Sequence, residues 1–348
     1  MKEQAVIGWD VGGAHLKGAR LSREGVVTRV VQVPCPLWKG MPHLAQAITE
    51  VLAAIGDGSV HAVTMTGEMA DLFPSRSTGV RQLVSALQER LAHSGAEVRF
   101  YAGRSGFVNC EEAARVPMAL ASANWLAAGA FVAERLSSAL LVDIGSTTTD
   151  LIPIVEGQVR ARGCDDAGRL AAGELVYTGV VRTPVMAMAE RVPFAGDWVP
   201  VVAEYFATAA DVHRLTGVLP EGADQHAAAD AGPKDLVGSA RRLARMTGRD
   251  VESAPAEVWR SLAEWLSGTQ LQRIQSAAED LLAKVGMPAD APVVGAGVGR
   301  FLAMQLAARI RRREIEFGSL VDVAGEDPAR VTDLAPAVAV AWLAARGG

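Results

Sequence analysis

Cysteines and aromatic residues are scarce in this chain. Three of its 348 residues are cysteines, and aromatic residues make up 5%. Cys35, Cys110 and Cys164 are far apart, odd in number and outside any Cys-x-x-Cys pattern, which argues against a disulfide framework and a cysteine zinc site. A reduced, cytoplasmic protein is therefore expected.

The chain also lacks a strong charge and a long apolar run. Its net charge is −5, so no basic field favours nucleic acid as a partner. No run of about 18 apolar residues is free of charges and helix breakers, and a strand pattern begins soon after the first residues. We expect neither a membrane span nor a signal sequence. Half of the residues are hydrophobic, enough for the cores of two domains.

Strand patterns alternate with helix patterns along most of the sequence, which predicts an α/β fold. Helical spacing covers Ala119–Glu134, an alanine-rich stretch, and Pro200–Leu215. Ile315–Val323 has the pattern of a strand, and Pro336–Arg346 that of an amphipathic helix. The polar segment Gly217–Pro233 is predicted to be a loop.

Two stretches, Val6–Leu21 and Ala139–Ile154, have the same pattern of residues. Each is an apolar run that ends in Asp, followed by a glycine turn and a second extended run. Their alignment pairs Asp10 with Asp143, Gly12 with Gly145, Gly13 with Ser146, and Lys17 with Asp150. A duplicated loop of this kind predicts two facing loops that bind one polyphosphate.

The first loop supplies groups suited to phosphate. Gly12 and Gly13 permit a turn whose backbone N–H groups point inward at an anion. Asp10, at the strand end, is a candidate Mg²⁺ ligand. Lys17 either reaches phosphate oxygens or, if strand alternation continues, faces elsewhere. His15 either contacts phosphate or packs under the loop, and a plain β-hairpin with an Asx turn is the simpler alternative.

The second loop is denser in polar groups. The octapeptide Asp143–Asp150, which contains Gly145, carries four hydroxyls and two carboxylates. Packing between two apolar strands does not explain so many polar groups. Asp143 is the second candidate Mg²⁺ ligand, and Ser146, Thr147 and Thr148 can donate to phosphate oxygens. The alternative is a surface turn rich in serine and threonine.

A third motif, Val293–Ala307, runs from a strand through a glycine turn into a helix N-terminus, which favours anions or a ribose. Gly295, Gly297 and Gly299 form the turn. It is not a dinucleotide fingerprint, because Arg300 stands where that pattern needs glycine. Close packing of strand and helix is the alternative explanation.

In this order the three motifs resemble those of the actin, hexokinase and heat-shock ATPase superfamily. Asp10–Lys17 and Asp143–Asp150 match its two phosphate motifs, and Gly295–Gly299 matches its adenosine motif. The resemblance implies two ribonuclease-H-like domains around a central cleft. It places the first domain at 1–135 plus about 330–348, and the second at 136–329 with a mainly helical insertion at about 186–285.

Within the superfamily the sequence looks most like the hydantoinase/oxoprolinase group, and more narrowly like proteins of tetrahydromethanopterin and methanofuran one-carbon metabolism. The matching phrases are WDVGGAHLKGA, TGEMADLFPSR (Thr66–Arg76), DIGSTTTDLIPI and GELVYTGVVRTPV (Gly173–Val185). The resemblance implies a transferase that joins a furan methyl diphosphate to the phenol oxygen of a tyramine or tyrosine and releases pyrophosphate. Mg²⁺ is then the expected cofactor, with ATP possible but not favoured.

Two other functions stay open: an ATP-dependent kinase or oxoprolinase-like ATPase, and a non-catalytic nucleotide-binding regulator. For the transferase, Glu68 and Glu174 are candidate bases toward the phenol, whose pKa is about 10 when free; the alternative is an exposed loop carboxylate. Arg76 either binds a substrate carboxylate or is a surface charge. Tyr177 and Arg182 are candidates to line the acceptor pocket.

Two residues, Asp211 and His213, are set aside as surface residues, because their spacing on a helix is poor for a metal site. Small-molecule substrates are the only partners that these patterns predict, and they predict no oligomeric state.

Overall fold

The protein is described by a computed structural model that covers residues 5–92 and 95–347. It divides into two compact units. The first comprises Met1–Leu141, Ile152–Arg169 and Ile315–Gly348, and the second comprises Val142–Leu151 and Leu170–Glu314. The domain bounds inferred from the sequence stay a prediction.

The strands are β1 (Val6–Val11), β2 (His15–Leu21), β3 (Val27–Pro34), β4 (Val60–Met65), β5 (Glu97–Tyr101), β6 (Phe107–Val108), β7 (Ser138–Ile144), β8 (Thr149–Val155), β9 (Gln158–Val159), β10 (Leu175–Val176), β11 (Arg191–Phe194), β12 (Asp197–Pro200), β13 (Val293–Ala296) and β14 (Glu314–Glu316). The helices are α1 (Pro42–Ile55), α2 (Arg76–Leu91), α3 (Cys110–Arg115), α4 (Pro117–Leu120), α5 (Asn124–Ala133), α6 (Asp166–Ala172), α7 (Ala209–Leu215), α8 (Leu236–Arg245), α9 (Ala256–Val285), α10 (Arg300–Arg309), α11 (Pro328–Asp333) and α12 (Ala335–Ala345).

The first sheet has the strand order β3-β2-β1-β4-β5-β6. Strands β1, β2 and β3 are antiparallel neighbours, whereas β4 runs parallel to both β1 and β5. Every residue of β1 is buried, as expected for a central strand covered on both faces. The carboxyl ends of β1 and β4 therefore lie at the same edge of the sheet, where the first Asp loop begins.

Helix α12 packs against β1 at very short range. A Cβ atom on Gly8 would lie 2.0 Å from the carbonyl oxygen of Ala337 and 2.7 Å from Cβ of Ala341, so only glycine fits this position. Nearly every residue of α12 is buried. The prediction of an amphipathic helix is wrong here, because small alanine side chains allow close neighbours on all sides of this helix.

The second sheet has the strand order β10-β8-β7-β13-β14, and β9 pairs with β8. Helices α7, α8 and α9 and the β11–β12 hairpin follow β10 along the chain. They enclose a separate apolar core around Trp259, whose indole N–H donates to the carbonyls of Val251 (2.9 Å) and Ala254 (3.2 Å).

Three predicted elements differ from the structure. The helix Ala119–Glu134 is interrupted, with α4 and α5 separated at Ser122, whose φ is +49°. Pro200–Leu215 is helical only from Ala209, because Thr208 and Asp211 form a capping box that starts α7. Ile315–Val323 is a strand only at its start and continues as a 3₁₀ turn.

Among the residues that the structure describes, no helix combines the length and the apolar character needed to cross a bilayer.

Candidate active site

The first Asp loop joins β1 to β2 by a tight turn. The N–H of Gly12 donates to the carbonyl of His15 at 3.0 Å. Asp10 and Lys17 are register partners across the strand pair, and Lys17 Nζ lies 3.3 Å from Asp10 Oδ2. The side chain of Lys17 therefore faces the loop, and of the two orientations open from the sequence it takes the one toward Asp10.

Asp10 is 3% exposed, and its second oxygen, Oδ1, has no hydrogen-bond partner among the described residues. The same holds for Oγ1 of Thr64, the register partner of Asp10 on β4. Buried polar atoms are rarely left without a partner. The pair therefore points to a ligand that supplies the missing contacts at this edge of the sheet.

A carboxylate oxygen in this setting fits Mg²⁺, which prefers hard oxygen ligands. No group of three or more His, Cys, Asp or Glu suited to a metal occurs in the part of the chain that the structure describes. Mg²⁺ is commonly held by one or two carboxylates together with phosphate oxygens and water. The donor set at Asp10 is compatible with that mode of binding.

The first loop is supported by the segment that opens the TGEMADLFPSR phrase. The N–H of Thr66 donates to the carbonyl of Val11 at 2.9 Å. A Cβ atom on Gly67 would lie 3.1 Å and 3.2 Å from the carbonyls of Val11 and Gly12. Glu68, the next residue, is therefore held close to the loop in the same unit.

On its other side the loop is bonded to the chain after β3. The N–H groups of Cys35 and Leu37 donate to the carbonyls of Ala14 (2.8 Å) and Gly13 (3.1 Å). A Cβ atom on Gly13 would meet nothing within 4 Å. The loop is thus fixed through its carbonyls while the space beside Gly13 stays open.

Glu68 is buried, at 1% exposure, and is not an exposed loop carboxylate. Burial raises the pKa of its carboxyl group, and this outweighs the lowering effect of its hydrogen bonds and of Arg76. Arg76 Nη2 lies 3.2 Å from Glu68 Oε1 and 3.4 Å from Asp166 Oδ2. Arg76 therefore forms ion pairs with two carboxylates of the protein, and its role toward a substrate stays a prediction.

Ser122 completes this group. Its Oγ lies 3.0 Å from Glu68 Oε1 and 3.3 Å from Asp166 Oδ2, and it accepts a hydrogen bond of 2.7 Å from Arg76. Its left-handed backbone costs about 1–2 kcal/mol relative to a helical one. We name Glu68, Arg76, Ser122 and Asp166 the Glu68 cluster.

Sequence reasoning missed two members of the cluster. Ser122 sits in an alanine-rich stretch that has helical spacing, and Asp166 lies 44 residues further on. No local pattern connects these positions, since folding alone brings them to Glu68. The hint in the sequence is Ser122 itself, which together with Asn124 is polar within an otherwise apolar stretch.

The second Asp loop has the same turn as the first. The N–H of Gly145 donates to the carbonyl of Thr148 at 2.9 Å. Asp143, near the end of β7, is 9% exposed. The carbonyl of Ser146 accepts from the N–H groups of Val181 (3.1 Å) and Arg182 (2.8 Å). The GELVYTGVVRTPV phrase therefore supports this loop.

Gly179 lies against the loop so closely that no side chain fits. A Cβ atom there would lie 2.4 Å from the backbone nitrogen of Thr147 and 2.5 Å from the carbonyl carbon of Ser146. Thr183 Oγ1 accepts from the N–H of Gly179 and donates to its carbonyl, at 2.8 Å and 2.9 Å. The buried members of the phrase thus hold the backbone of the second loop.

Tyr177, at 45% exposure, and Arg182 have exposed side chains, and their place in an acceptor pocket stays a prediction. Glu174 is fully buried, and its carbonyl accepts the N–H of Leu151 at 2.8 Å. It is therefore not an exposed loop carboxylate, and its role as a base is a prediction.

Further buried polar residues are hydrogen-bonded to the segment Gly173–Val185. Gln270 of α9 donates through Nε2 to Thr178 Oγ1 and to the carbonyl of Gly179, both at 2.9 Å. Its Oε1 lies 2.8 Å from Nε2 of His213. Burial lowers the pKa of His213 to about 4, so the imidazole is neutral and donates to Gln270.

The prediction that Asp211 and His213 lie on the surface is wrong. Their exposures are 3% and 0%, and Asp211 Oδ1 accepts from Arg242 Nη2 at 2.7 Å and from Ser239 Oγ at 2.9 Å. Buried charges persist when they are paired in this way. Helices α8 and α9 cover this face of α7, which the residue spacing alone does not reveal.

The third motif packs against the end of β7. A Cβ atom on Gly297, whose φ is +77°, would lie 2.4 Å from Asp143 Oδ1. The N–H of Gly299 donates to the carbonyl of Ile144 at 2.8 Å. Gly295 lies in β13, which is buried, and Arg300 is the first residue of α10. The glycines therefore let this turn contact the second Asp loop directly.

The structure thus groups the predicted residues by unit. The first unit brings together the Asp10 loop (with Gly12, Gly13, His15 and Lys17), Glu68 and Arg76. His15 is buried, at 5% exposure. The second unit brings together the Asp143 loop (with Gly145, Ser146, Thr147 and Thr148), the glycine turn before Arg300, and the segment that contains Glu174, Tyr177 and Arg182.

The sequence matches the profile of the family described as hydantoinase/oxoprolinase over residues 59–323. A protein from Methanocaldococcus jannaschii is 30% identical over 294 residues, which cover 84% of this chain and 86% of that protein. It is named (4-{4-[2-(gamma-L-glutamylamino)ethyl]phenoxymethyl}furan-2-yl)methanamine synthase. A protein of the same name from Methanococcus vannielii is 33% identical over 36% of this chain and 57% of that protein.

Among solved structures, nucleotide-free acetone carboxylase is similar in fold. Its TM-score is 0.57 at 11% sequence identity, and the match covers 97% of this chain and 70% of that one. The predicted fold class, α/β with two ribonuclease-H-like units of the actin-like ATPase type, is confirmed.

Proposed function

This chain belongs to the hydantoinase/oxoprolinase family, and on that premise we propose that it is a methanofuran-biosynthesis transferase. It joins an (aminomethylfuranyl)methyl diphosphate to the phenol oxygen of a glutamyltyramine, tyramine or tyrosine and releases pyrophosphate. The observation that carries the proposal is the 30% identity to the Methanocaldococcus jannaschii synthase over 84% of this chain. The name of that protein contains the phenoxymethylfuran ether that this reaction forms.

The chemistry is a substitution at the furylmethyl carbon. The carbon–oxygen bond to the diphosphate breaks, and its electron pair leaves with pyrophosphate. A bond forms between that carbon and the phenol oxygen, and the phenol proton is released. The furan ring stabilises positive charge on the carbon, so the protein has two tasks: to stabilise the departing diphosphate and to accept a proton.

The first unit supplies charge and one carboxylate for the diphosphate. Asp10 Oδ1, buried and without a partner among the described residues, is the oxygen that we assign to Mg²⁺. Mg²⁺ bound there would neutralise charge on the leaving group. Lys17, 3.3 Å from the other oxygen of Asp10 and 21% exposed in its side chain, is assigned to a phosphate oxygen beside it.

The second unit supplies hydrogen-bond donors. Ser146, Thr147 and Thr148 are only partly buried, and their hydroxyls and N–H groups are assigned to phosphate oxygens. Asp143 is assigned as the second Mg²⁺ ligand. That both loops act on one diphosphate rests on the duplicated sequence pattern.

Glu68 is the proposed base toward the phenol. Its raised pKa makes the carboxylate a stronger base than an exposed one, and Oε2 has no partner among the described residues. Oε2 is therefore the oxygen assigned to the phenol proton. Glu174 is the alternative base, and Tyr177 and Arg182 are proposed to contact the phenol substrate.

The direct test supplies the furan diphosphate, γ-glutamyltyramine and Mg²⁺, with no ATP. Ether product and an equal amount of pyrophosphate are expected. A reaction that yields no ether but forms ADP when ATP and the phenol are added would refute the proposal and identify a kinase or ATPase. Saturable nucleotide binding without turnover would identify a regulator.

One observation favours the ATP-dependent alternative. The glycine turn at Gly295–Gly299 leads into the N-terminus of α10, an arrangement that can bind an anion or a ribose. Its contacts with Asp143 and Ile144 are explained by close packing alone.

A cytoplasmic location in tetrahydromethanopterin-linked one-carbon metabolism is part of the same proposal, and the free thiols of Cys35, Cys110 and Cys164 are compatible with it.

A further inference from the structure

The proposed reaction frees one proton in every turnover, and the proposed base is buried. The side chain of Glu68 is 0% exposed. After it takes the phenol proton, Glu68 has to pass that proton to water before it can act again. The route by which this proton leaves rests on the proposed function.

Ser122 connects Glu68 to a carboxylate that reaches solvent. Its Oγ lies 3.0 Å from Glu68 Oε1 and 3.3 Å from Asp166 Oδ2. The side chain of Asp166 is 13% exposed, whereas that of Glu68 is not exposed at all. A hydroxyl can accept one proton while it gives up another, so this geometry suits proton transfer in two linked hydrogen bonds.

We propose that Ser122 and Asp166 form a proton exit for Glu68. In each turnover Glu68 Oε2 takes the phenol proton, and rotation of the carboxyl group about the Cγ–Cδ bond then brings the protonated oxygen to Ser122 Oγ. As that O–H bond breaks, the hydroxyl proton of Ser122 passes to Asp166 Oδ2. Asp166 gives the proton to water, which leaves Glu68 and Asp166 as carboxylates and Ser122 as a hydroxyl.

Arg76 holds the relay in line. Its Nη2 lies 2.7 Å from Ser122 Oγ, 3.2 Å from Glu68 Oε1 and 3.4 Å from Asp166 Oδ2. Because Arg76 donates to Ser122, the serine hydroxyl keeps its own hydrogen for one of the two carboxylates. The positive charge lies close to both, so the transfer moves a proton between two sites that share one cation.

The backbone of Ser122 supports a specific role for its hydroxyl. Its φ of +49° ends α4 short of α5 and breaks an alanine-rich stretch with helical spacing. Glycine adopts this region more readily than serine does. A serine at such a position is explained by the contacts of its hydroxyl with Glu68, Arg76 and Asp166, which a glycine would lack.

The test compares the first turnover with later ones. Ser122→Gly suits the left-handed backbone and removes the whole hydroxymethyl side chain, including the hydroxyl. We expect pyrophosphate to form in a burst of one equivalent per enzyme at nearly the wild-type rate, followed by a steady state about 100-fold slower. The slow steady state should show a solvent deuterium isotope effect. A small buffer base such as formate should restore the steady-state rate, because it can accept the proton of Glu68 in the space that the lost side chain leaves.

Asp166→Asn should give the same burst and slow steady state. Ser105→Ala and Asp71→Asn, which change exposed residues of the same unit, should behave like the wild type. Circular dichroism and thermal unfolding check that each variant is folded.

Three results would overturn the relay. A wild-type steady state in Ser122→Gly shows that the hydroxyl is not needed. An equal loss in the first and later turnovers shows that the residue acts on bond formation instead. Absence of ether from the wild-type protein refutes the proposed function and the relay together, whereas the first two results refute the relay and leave the function intact.

Discussion

The two Asp loops have the same backbone and different surroundings. In each, the glycine two positions after the aspartate donates its N–H to the carbonyl three residues on, from Gly12 to His15 at 3.0 Å and from Gly145 to Thr148 at 2.9 Å. In the first loop a lysine lies 3.3 Å from the aspartate. In the second, the aligned position holds Asp150, a carboxylate.

The loops are also supported differently. The first receives hydrogen bonds from Cys35, Leu37 and Thr66, which lie on segments after β3 and β4. The second receives them from the segment 180–182, behind which stand Gln270 and His213. A short turn thus keeps its shape through its own hydrogen bond, while its charge and support come from other parts of the chain.

The largest expected effect comes from removing each aspartate's charge. Asp10→Asn and Asp143→Asn should each lower kcat for ether formation about 100-fold or more, because each removes charge that organises the leaving diphosphate. The measurement is pyrophosphate release at saturating Mg²⁺ and substrates. If only one variant is impaired, the loops do not share the task and the comparison fails.

Two exposed carboxylates serve as controls for this pair. Asp71→Asn in the first unit and Asp197→Asn in the second remove the same charge from exposed positions. Both should retain wild-type rates within about twofold, since surface substitutions away from such sites have small effects.

The next largest expected effect is that acid weakens the support of the second loop but not that of the first. His213 has a folded-state pKa of about 4 against 6.5 for an ordinary histidine, so the unfolded chain binds its proton more readily. Its contribution to stability is present above pH 6.5 and is lost as the pH falls toward about 4, a loss of about 3 kcal/mol in total. Hydrogen-exchange protection of the Val181 and Arg182 amides, which hold the second loop, should fall over this range.

The control is His213→Gln, in which an amide replaces the imidazole that donates to Gln270 and removes the titration. The part of the pH dependence that comes from His213 should vanish in this variant. Protection of the Thr66 amide, which holds the first loop, should be the same in wild type and variant. A variant with an unchanged pH profile would show that His213 does not link acid to the second loop.

The smallest expected effect is a difference in stability between alanine variants of the two aligned glycines. A Cβ atom on Gly12 would lie 2.9 Å from the carbonyl oxygen of His15, whereas on Gly145 the nearest atom, the carbonyl oxygen of Thr148, is 3.7 Å away. Gly12→Ala should therefore destabilise the protein by about 1–3 kcal/mol. Gly145→Ala should change stability by less than about 0.5 kcal/mol.

Urea unfolding of the two variants side by side measures the difference, and each is the other's matched control. Equal losses would mean that the two turns tolerate a side chain equally, contrary to the packing around Gly12.

Sequence patterns predicted what is local. The Asp loops, the strand-to-helix turn before Arg300 and the α/β class follow from short-range periodicity and turn residues, and the structure contains each of these elements. The orientation of Lys17 toward Asp10 depended on strand register, which the pattern left open and the pairing of β1 with β2 decides.

Patterns failed where distant segments meet. Ser122 interrupts a stretch with helical spacing, and its hydroxyl is hydrogen-bonded to Glu68 and Asp166, 54 and 44 residues away. Asp211 and His213 are buried because α8 and α9 supply Arg242 and Gln270 as partners. Such partners are invisible to any window of sequence, since tertiary contacts override local preference.

The close packing of Gly8 against Ala337 and Ala341 has a consequence for protein synthesis. The central strand of the first sheet, β1, is translated before the second unit, whereas α12, the helix that packs against it, is translated after that unit. The second unit lies within Val142–Glu314 and is complete before then. The order of folding on the ribosome therefore reverses the order of the sequence: the second unit can finish while the first still waits for α12 with part of its sheet uncovered.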